Sequence, residues 1–249
     1  MNLTNGSMIA WIAAIGYALN ACGHGSLSVD DVIDHNTQAT GGRAAIEAVR
    51  SIEVDLHVAD PGFEVDGKYW AARPGRMRID ILADGKRVYT EAFDGTWGWQ
   101  SKGAAVEEAS SKGTAALRHG VELPGKLFGL HELRQRGHSV ELAKRELIDG
   151  TNYYPLRVTM ADGYITNLYV DPVSWLITRR RDVRPLHVDI DPTPTTIESR
   201  YSDFRKIDGV LFAFFSTDTD LATGKTLETT RVHSVQVNPQ FDASIFSQL

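Results

Sequence analysis

From residue 51 onward, hydrophobic and polar positions alternate with period two, interrupted by Asp-Gly and Pro-Gly pairs. Ile52, Val54, Leu56 and Val58 alternate with Glu53, Asp55 and His57, the pattern of a strand with one buried face. Pro61-Gly62, Asp66-Gly67 and Pro74-Gly75 predict turns, with a strand over residues 68–73. Residues 76–99 (RMRIDILADGKRVYTEAFDGTWGW) predict three antiparallel strands about Asp84-Gly85 and Asp94-Gly95. Asp-Gly favours a two-residue hairpin loop because a type I′ turn needs positive φ at both central residues. Counting from these loops, Ile81 opposes Val88, Ile79 opposes Thr90 and Met77 opposes Ala92. Trp97 then opposes Ala92, Trp99 opposes Thr90, and Arg78 pairs with Glu91 on the other face. Met77, Ile79, Ile81, Val88, Trp97 and Trp99 share one apolar face in this register.

Residues 29–39 and 43–49 carry helical spacing around the Thr40-Gly41-Gly42 break. They are too short to be stable alone, so they are expected to pack on the sheet. Residues 104–137 lose the alternation and predict two or three short helices. Their apolar residues, among them Leu117, Leu127, Phe128 and Leu130, are expected to form a lid. Strands resume over 140–147, 153–161, 164–170, 175–183, 195–204, 210–217 and 225–237, and residues 238–246 form a terminal cap. The hairpin about Asp162-Gly163 puts Tyr154, Leu156, Val158 and Met160 on one face, with Ile165 and Tyr169. The predicted fold is mainly β: a curled antiparallel half-barrel of about 10–11 strands, with a helix pair in front and a helical insert over its concave face. Met77, Ile79, Ile81, Val88, Trp97, Trp99, Tyr154, Leu156, Val158 and Met160 are the expected wall of an apolar cavity, with a plain packed core as the alternative. No linker or composition shift divides residues 29–249, which predicts a single domain.

A net charge of −6 argues against nucleic acid or an anionic surface as the main partner. The single cysteine, Cys22, excludes an intrachain disulfide and a cysteine metal cage. Residues 8–19 (MIAWIAAIGYAL) have the length of a signal-peptide core rather than a membrane span. The following Leu19-Asn20-Ala21-Cys22-Gly23 resembles a bacterial lipobox. Residues 1–21 are therefore expected to be a signal peptide, Cys22 a lipidation site and residues 22–28 a tether. A plain cleaved signal peptide with an incidental cysteine is the alternative.

No catalytic constellation stands out. Residues 120–126 (GVELPGK) match seven positions of a phosphate-binding loop. Leu127 stands where the Mg²⁺-binding hydroxyl belongs and no strand precedes, so this is a chance match. His187, Asp189 and Asp191 read as an acidic loop, with a divalent-cation site as the alternative. His119, His131 and His138 lack HExxH spacing and read as exposed or capping residues. There is no GxSxG elbow, and the only thiol lies in the expected leader. Arg179, Arg180 and Arg181 alternate faces on a strand, so they form no single anion clamp.

Several stretches together resemble the outer-membrane lipoprotein-sorting (LolA/LolB-like) superfamily. They are the lipobox-like leader, residues 40–43 (TGGR) and residues 76–99. Residues 169–177 (YVDPVSWLI), 201–210 (YSDFRKIDGV) and 237–246 (VNPQFDASIF) complete the set. The resemblance implies an antiparallel half-barrel closed by helices, whose cavity holds acyl chains without catalysis. It implies a periplasmic carrier or receptor for lipoproteins or another hydrophobic ligand, anchored at the outer membrane. A monomer with no cofactor, no metal and no nucleic-acid partner is expected. A protein-binding module of the same fold is the alternative.

Overall fold

A computed structural model describes residues 27–186 and 188–247. The expected leader, Cys22 and His187 lie outside the described residues. Fourteen strands follow in chain order, all in antiparallel pairs. They are β1 (Ser51–Asp60), β2 (Phe63–Ala72), β3 (Arg76–Ala83), β4 (Lys86–Phe93), β5 (Gly98–Lys102), β6 (Ala105–Glu108), β7 (Ser139–Leu142), β8 (Glu146–Ile148), β9 (Thr151–Thr159), β10 (Ile165–Val170), β11 (Ile177–Arg184), β12 (Thr195–Ile207), β13 (Val210–Asp220) and β14 (Thr226–Val237). The spatial order is β6-β5-β4-β3-β2-β1-β14-β13-β12-β11-β10-β9-β7, with β8 also paired to β9. The sheet is open rather than closed into a barrel. It exceeds the expected 10–11 strands because residues 140–147 are divided between β7 and β8, and residues 105–108 form β6 instead of a helix. The tight turn at Gly103 (φ +63°) folds Ala105 back onto Lys102, and that ladder overrides the helix propensity of Ala and Glu.

The order contains a topological constraint. Two meanders, β1–β6 and β7–β14, meet at the β1·β14 ladder in the middle of the sheet. Their outer edges, β6 and β7, are joined only by residues 109–138, which cross from one edge to the other. Helix α3 (Ser111–Glu122) packs on β3, β4 and β5, while Arg118 and His119 near its far end contact Asp162 between β9 and β10. Twelve helical residues span about 18 Å. The sheet must curl for its two ends to lie within that distance.

Two short helices close one end. Helix α1 (Val29–Thr40) opens with a capping box in which Ser28 and Asp31 bond each other's backbone N–H, and it buries Val32 and Ile33. Helix α2 (Arg43–Ala48) follows the glycine break. Gly41, at φ +141°, lies so close to the β12–β13 turn that a Cβ would stand 2.3 Å from the Gly209 carbonyl oxygen, so only glycine fits.

Asp84-Gly85, Asp149-Gly150 and Asp208-Gly209 are two-residue turns with both φ values positive. Asp66-Gly67 is not a turn: β2 runs through it, and Gly67 gives Leu56 room to cross. The β3–β4 register also differs from the count. Ala83 opposes Lys86 as expected, but Val88 is an extra bulged residue, so Ile81 opposes Tyr89, Ile79 opposes Glu91 and Met77 opposes Phe93. The bulge moves Thr90 and Ala92 to the outer face, where Thr90 Oγ1 donates to Asp80 at 2.8 Å. Arg78 pairs with Asp80 on its own strand, at 2.8 and 3.0 Å, and not with Glu91. The β9–β10 hairpin shifts likewise. Its loop runs from Met160 to Tyr164, so Leu156 opposes Leu168, and Ile165 and Tyr169 leave the face of Leu156.

Buried side chains form two groups on the concave side. One gathers Ile52, Val54, Leu56, Tyr69, Met77, Phe93, Leu127, Phe128, Phe212 and Phe214; the other gathers Val32, Ile33, Leu130, Leu133, Leu156, Val158, Met160 and Leu168.

Candidate functional site

Between these two groups, under the crossing insert, lies a cavity of about 740 Å³. That falls within the range of about 300–1,000 Å³ usual for small-molecule sites. Helix α3 roofs it. Its Thr114 Oγ1 accepts from the Gly98 N–H at 3.1 Å, and Gly98 has no side chain to hold the helix off β5. Small residues, Gly113, Ala115, Ala116 and Gly120, together with Leu117, present the helix to the cavity.

The roof is fastened at both ends. At its start, Ser110 Oγ donates to Asp189 at 2.5 Å, in the loop after β11, while accepting from Gly113 N–H at 2.9 Å. At its far end His119 stacks on Tyr164 at 4.1 Å, and its Nε2 lies 2.7 Å from Asp162, which also binds Arg118. Burial alone would raise the Asp162 carboxyl, but His119, the Tyr164 N–H and Arg118 bring it down to about 2. Beyond α3 the connection is held by Arg73. Its guanidinium donates to the carbonyls of Val49 and Leu127, at 2.7 and 2.8 Å, and to the buried Glu132 at 2.6 Å. Burial pushes the Glu132 carboxyl up, yet Arg73 and the Gly129 N–H leave it below its ordinary value.

The cavity wall has two unlike arcs. Ile52, Val54 and Leu56 of β1, Val232 and Val235 of β14, and Phe212 of β13 make an apolar arc, completed by Leu117, Phe128 and Leu130 from the insert. Arg180 and Arg184 of β11, Ser199 and Tyr201 of β12, Ser216 and Asp218 of β13 and Glu228 of β14 make a polar one. Within the polar arc Arg184 binds Asp182 at 3.2 Å and Asp218 at 2.6 Å, and Tyr164 donates to Asp182 at 2.6 Å. Burial works against the Arg180 charge, but Tyr201, Asp182, Tyr164 and Asp218 more than offset it and hold the guanidinium protonated. The neighbouring arginines turn to the outer face, where Arg179 and Arg181 share the buried Glu198 at 2.8 and 2.6 Å.

The residues expected to line the cavity fall in five places. Met77 and Ile79 stand on the concave side and pack in the first core group, with Ile81 at the strand's end; none of the three is in the cavity lining. Val88 is the bulge and is 41% exposed. Trp97 is 62% exposed in a four-residue loop, whose Asp94 carboxylate accepts from the Thr96 and Trp97 N–H groups. Trp99 borders the cavity along its strand, but its indole N–H donates to the Phe246 carbonyl at 2.8 Å, under the C-terminal turn on the outer face. Tyr154, Leu156, Val158 and Met160 belong to the second core group, filled from above by α1 and the Leu130–Glu132 turn. Of the expected lid residues, Leu117, Phe128 and Leu130 line the cavity and Leu127 is buried beside it.

Sequence reasoning missed β1 as the main apolar wall, although its alternation is the cleanest in the chain. It also missed Arg180, whose position opposite Arg179 and Arg181 was legible from strand alternation alone. His131 and His138 are buried, not exposed: His131 lies 3.4 Å from Glu47, and His138 Nδ1 accepts from the Ala161 N–H at 3.1 Å. Residues 120–126 are the end of α3 and its exit, with no preceding strand, and no phosphate-binding loop forms. Asp189 and Asp191 cap neighbouring groups, and among the described residues no three His, Cys, Asp or Glu side chains converge on a metal position.

No protein-family model matches the chain, and no curated protein matches it. Solved structures do. A LolA superfamily protein from Nitrosomonas europaea superposes with a TM-score of 0.58 at 13% identity, over 90% of this chain and 99% of its own. A DUF1329 family protein from Desulfovibrio piger gives 0.57 at 13% identity, over 88% and 97%. An outer membrane lipoprotein-sorting protein domain from Vibrio parahaemolyticus gives 0.57 at 11% identity, over 87% and 95%. Likeness at such low identity speaks for the shared architecture, and it extends over nearly the full length of each partner. The chain shares its fold with a LolA superfamily protein and with an outer membrane lipoprotein-sorting protein domain.

Proposed function

We propose that this protein is an exported carrier or receptor that holds an acyl chain, of a lipoprotein or of another hydrophobic ligand, between the sheet and the crossing insert. The observation that carries this reading is the 740 Å³ cavity with its continuous apolar arc under a fastened roof. A folded chain ordinarily fills such a space with side chains. An acyl chain entering it gains about 0.8 kcal/mol per buried CH₂. The reading needs no catalyst: the roof loosens, the chain enters, and the roof closes. It includes residues 1–21 as an export signal, and Cys22 as an acylated anchor holding the protein at the periplasmic side of the outer membrane. Among the described residues no helix is long and apolar enough to cross a membrane.

Native mass spectrometry of the full chain, purified from a bacterial envelope, tests the reading. The expected result is a population carrying lipid mass that is lost on denaturation, and so is separate from any acyl group on Cys22. A bare chain that also takes up no fluorescent fatty acid overturns it. Cys22→Ser tests the anchor, which predicts release from the membrane fraction; unchanged fractionation contradicts it.

A further inference from the structure

The apolar arc explains why an acyl chain would enter. It does not explain a lysine inside. Lys126 sits on the exit from α3 and lines the cavity. Its ammonium lies 4.3 Å from the centre of the Tyr69 ring, and among the described residues it makes no hydrogen bond and no ion pair. The hydroxyl of the same Tyr69, on a residue only 4% exposed, also has no partner. Across the polar arc Arg180 approaches Asp182 through Nε at 3.2 Å, in a geometry that leaves that N–H without a hydrogen bond. A plain core would not keep the Tyr69 hydroxyl and the Arg180 N–H, since unpaired buried polar groups cost free energy that an apolar side chain avoids. A cation with three donors, on the ring of a tyrosine whose hydroxyl is orphaned, is half of an interaction whose other half is an acceptor in the cavity.

We propose that the ligand is a single-chain amphiphile with a singly charged anionic head, a free long-chain fatty acid, whose carboxylate docks at Lys126 and whose tail lies along the β1–β14 arc. This rests on the reading of the cavity as an acyl-chain site and narrows it. Three features select this class. The first is volume. At about 30 Å³ for each water-sized group, a sixteen-carbon chain fills about 480 Å³. The cavity therefore takes one such chain with its head. The second is charge. Arg180 and Arg184 are already engaged with Asp182 and Asp218, so Lys126 offers the head a single positive charge, which matches a singly charged anion. The third is placement, since Lys126 stands over Tyr69, the register partner of Val54 on β1, so a head held there leaves its tail beside the β1–β14 arc.

The groups facing Lys126 are Tyr69 from β2, Arg180 from β11 and Glu228 from β14. Burial, then Arg180, push its ammonium down to about 8 against the opposing pull of Glu228. The charge that receives the carboxylate is therefore present at neutral pH and lost as pH rises through about 8.

The test is competition of palmitic acid, methyl palmitate and hexadecyl phosphate against a fluorescent acyl probe on the full chain. At pH 7 the acid is expected to compete about tenfold or more better than the ester, and better than the phosphate. The preference for acid over ester should shrink as pH is raised past 8. Lys126→Met should bring acid and ester together, while Lys126→Arg should keep the preference. Acid and ester binding equally to the unaltered protein overturns the head-group site but leaves the acyl-chain reading standing. A preference that survives Lys126→Met also overturns it. A better-bound phosphate overturns the carboxylate assignment. Failure of all three ligands overturns both.

Discussion

Ser110 and Asp189 meet across the mouth of the cavity, with Ser110 Oγ donating to the carboxylate at 2.5 Å. Ser110 is the N-cap of α3, and Asp189 belongs to the loop after β11. The contact therefore ties the roof helix, which packs on one end of the sheet, to the other end. Because both partners are exposed, their bond stabilises the fold little, about 0.5–1.5 kcal/mol at most. Asp189→Ala should barely change the melting temperature yet speed the uptake and release of a fluorescent fatty acid in stopped-flow mixing. Unchanged rates would show that the roof does not limit entry.

Gly113 reports on the same latch. A Cβ there would stand 2.3 Å from Asp189 Oδ2, an atom at the end of a movable side chain. Gly113→Ala gains up to about 1 kcal/mol of helix propensity and expels Asp189. It should raise α3 stability while speeding uptake as Asp189→Ala does. The double variant should be no faster than either single one. Additive rate effects would mean that the two changes act on different contacts.

Arg73 fastens the part of the insert beyond α3. Arg73→Ala strands the buried Glu132 carboxylate and frees the Val49 and Leu127 carbonyls. The expected loss in denaturant unfolding is about 3–5 kcal/mol. Arg73→Lys recovers only part of it, because an ammonium cannot reproduce the fork that reaches all three groups. A loss under about 1 kcal/mol for Arg73→Ala would refute this role.

Burial pushes both His131 and His138 below their ordinary value, and His138 Nδ1 accepts a backbone N–H, which only a neutral ring can do. In the unfolded chain both titrate near the ordinary 6.5. The unfolded state therefore binds more protons as pH falls below that value. Stability is complete above about pH 6.5 and declines beneath it, before the carboxylates begin to titrate. His57, raised by its bond to Asp66, acts in the opposite sense, but it lies at the surface and contributes little. Thermal melts between about pH 7 and 5 should fall steadily, and replacing both buried histidines by Gln should flatten the slope. An equal slope in the variant would remove these histidines as the cause.

Trp99 separates the observed fold from the expected one. Trp99→Phe removes its bond to the Phe246 carbonyl and should cost about 1 kcal/mol. Because the indole lies on the outer face, acyl uptake should not change. Weakened uptake at constant stability would put the ring in the cavity wall after all.

Much of the architecture is legible in the sequence. The helix pair, the antiparallel sheet and the helical crossing follow from the change of period and from the Asp-Gly turns. The register of residues 76–99 is not. A β-bulge leaves no mark in local propensity, and Val88 is an ordinary strand residue. One extra residue moved Thr90 and Ala92, and with them Trp99, to the opposite face. The loop of Asp94 failed for a related reason: its carboxylate caps Thr96 and Trp97, which makes a four-residue loop of an Asp-Gly that elsewhere forms a two-residue one. The cavity was misplaced because strand alternation marks which face is apolar but not where the insert leaves it uncovered. That depends on Gly98 letting α3 approach and on α1 filling the space over Leu156 and Val158.

The central claim is that the space between β1, β14 and the insert holds an acyl chain. Its most direct test is titration of the full chain and of Val235→Trp with a fluorescent fatty acid. Val235 lines the apolar arc, and a larger side chain there occupies the space meant for the ligand, at a cost of about 1–3 kcal/mol in stability. Saturable binding to the unaltered protein, weakened about tenfold or more in Val235→Trp while the variant stays folded, is the predicted result. No saturable binding, or equal affinity in the two proteins, would contradict it.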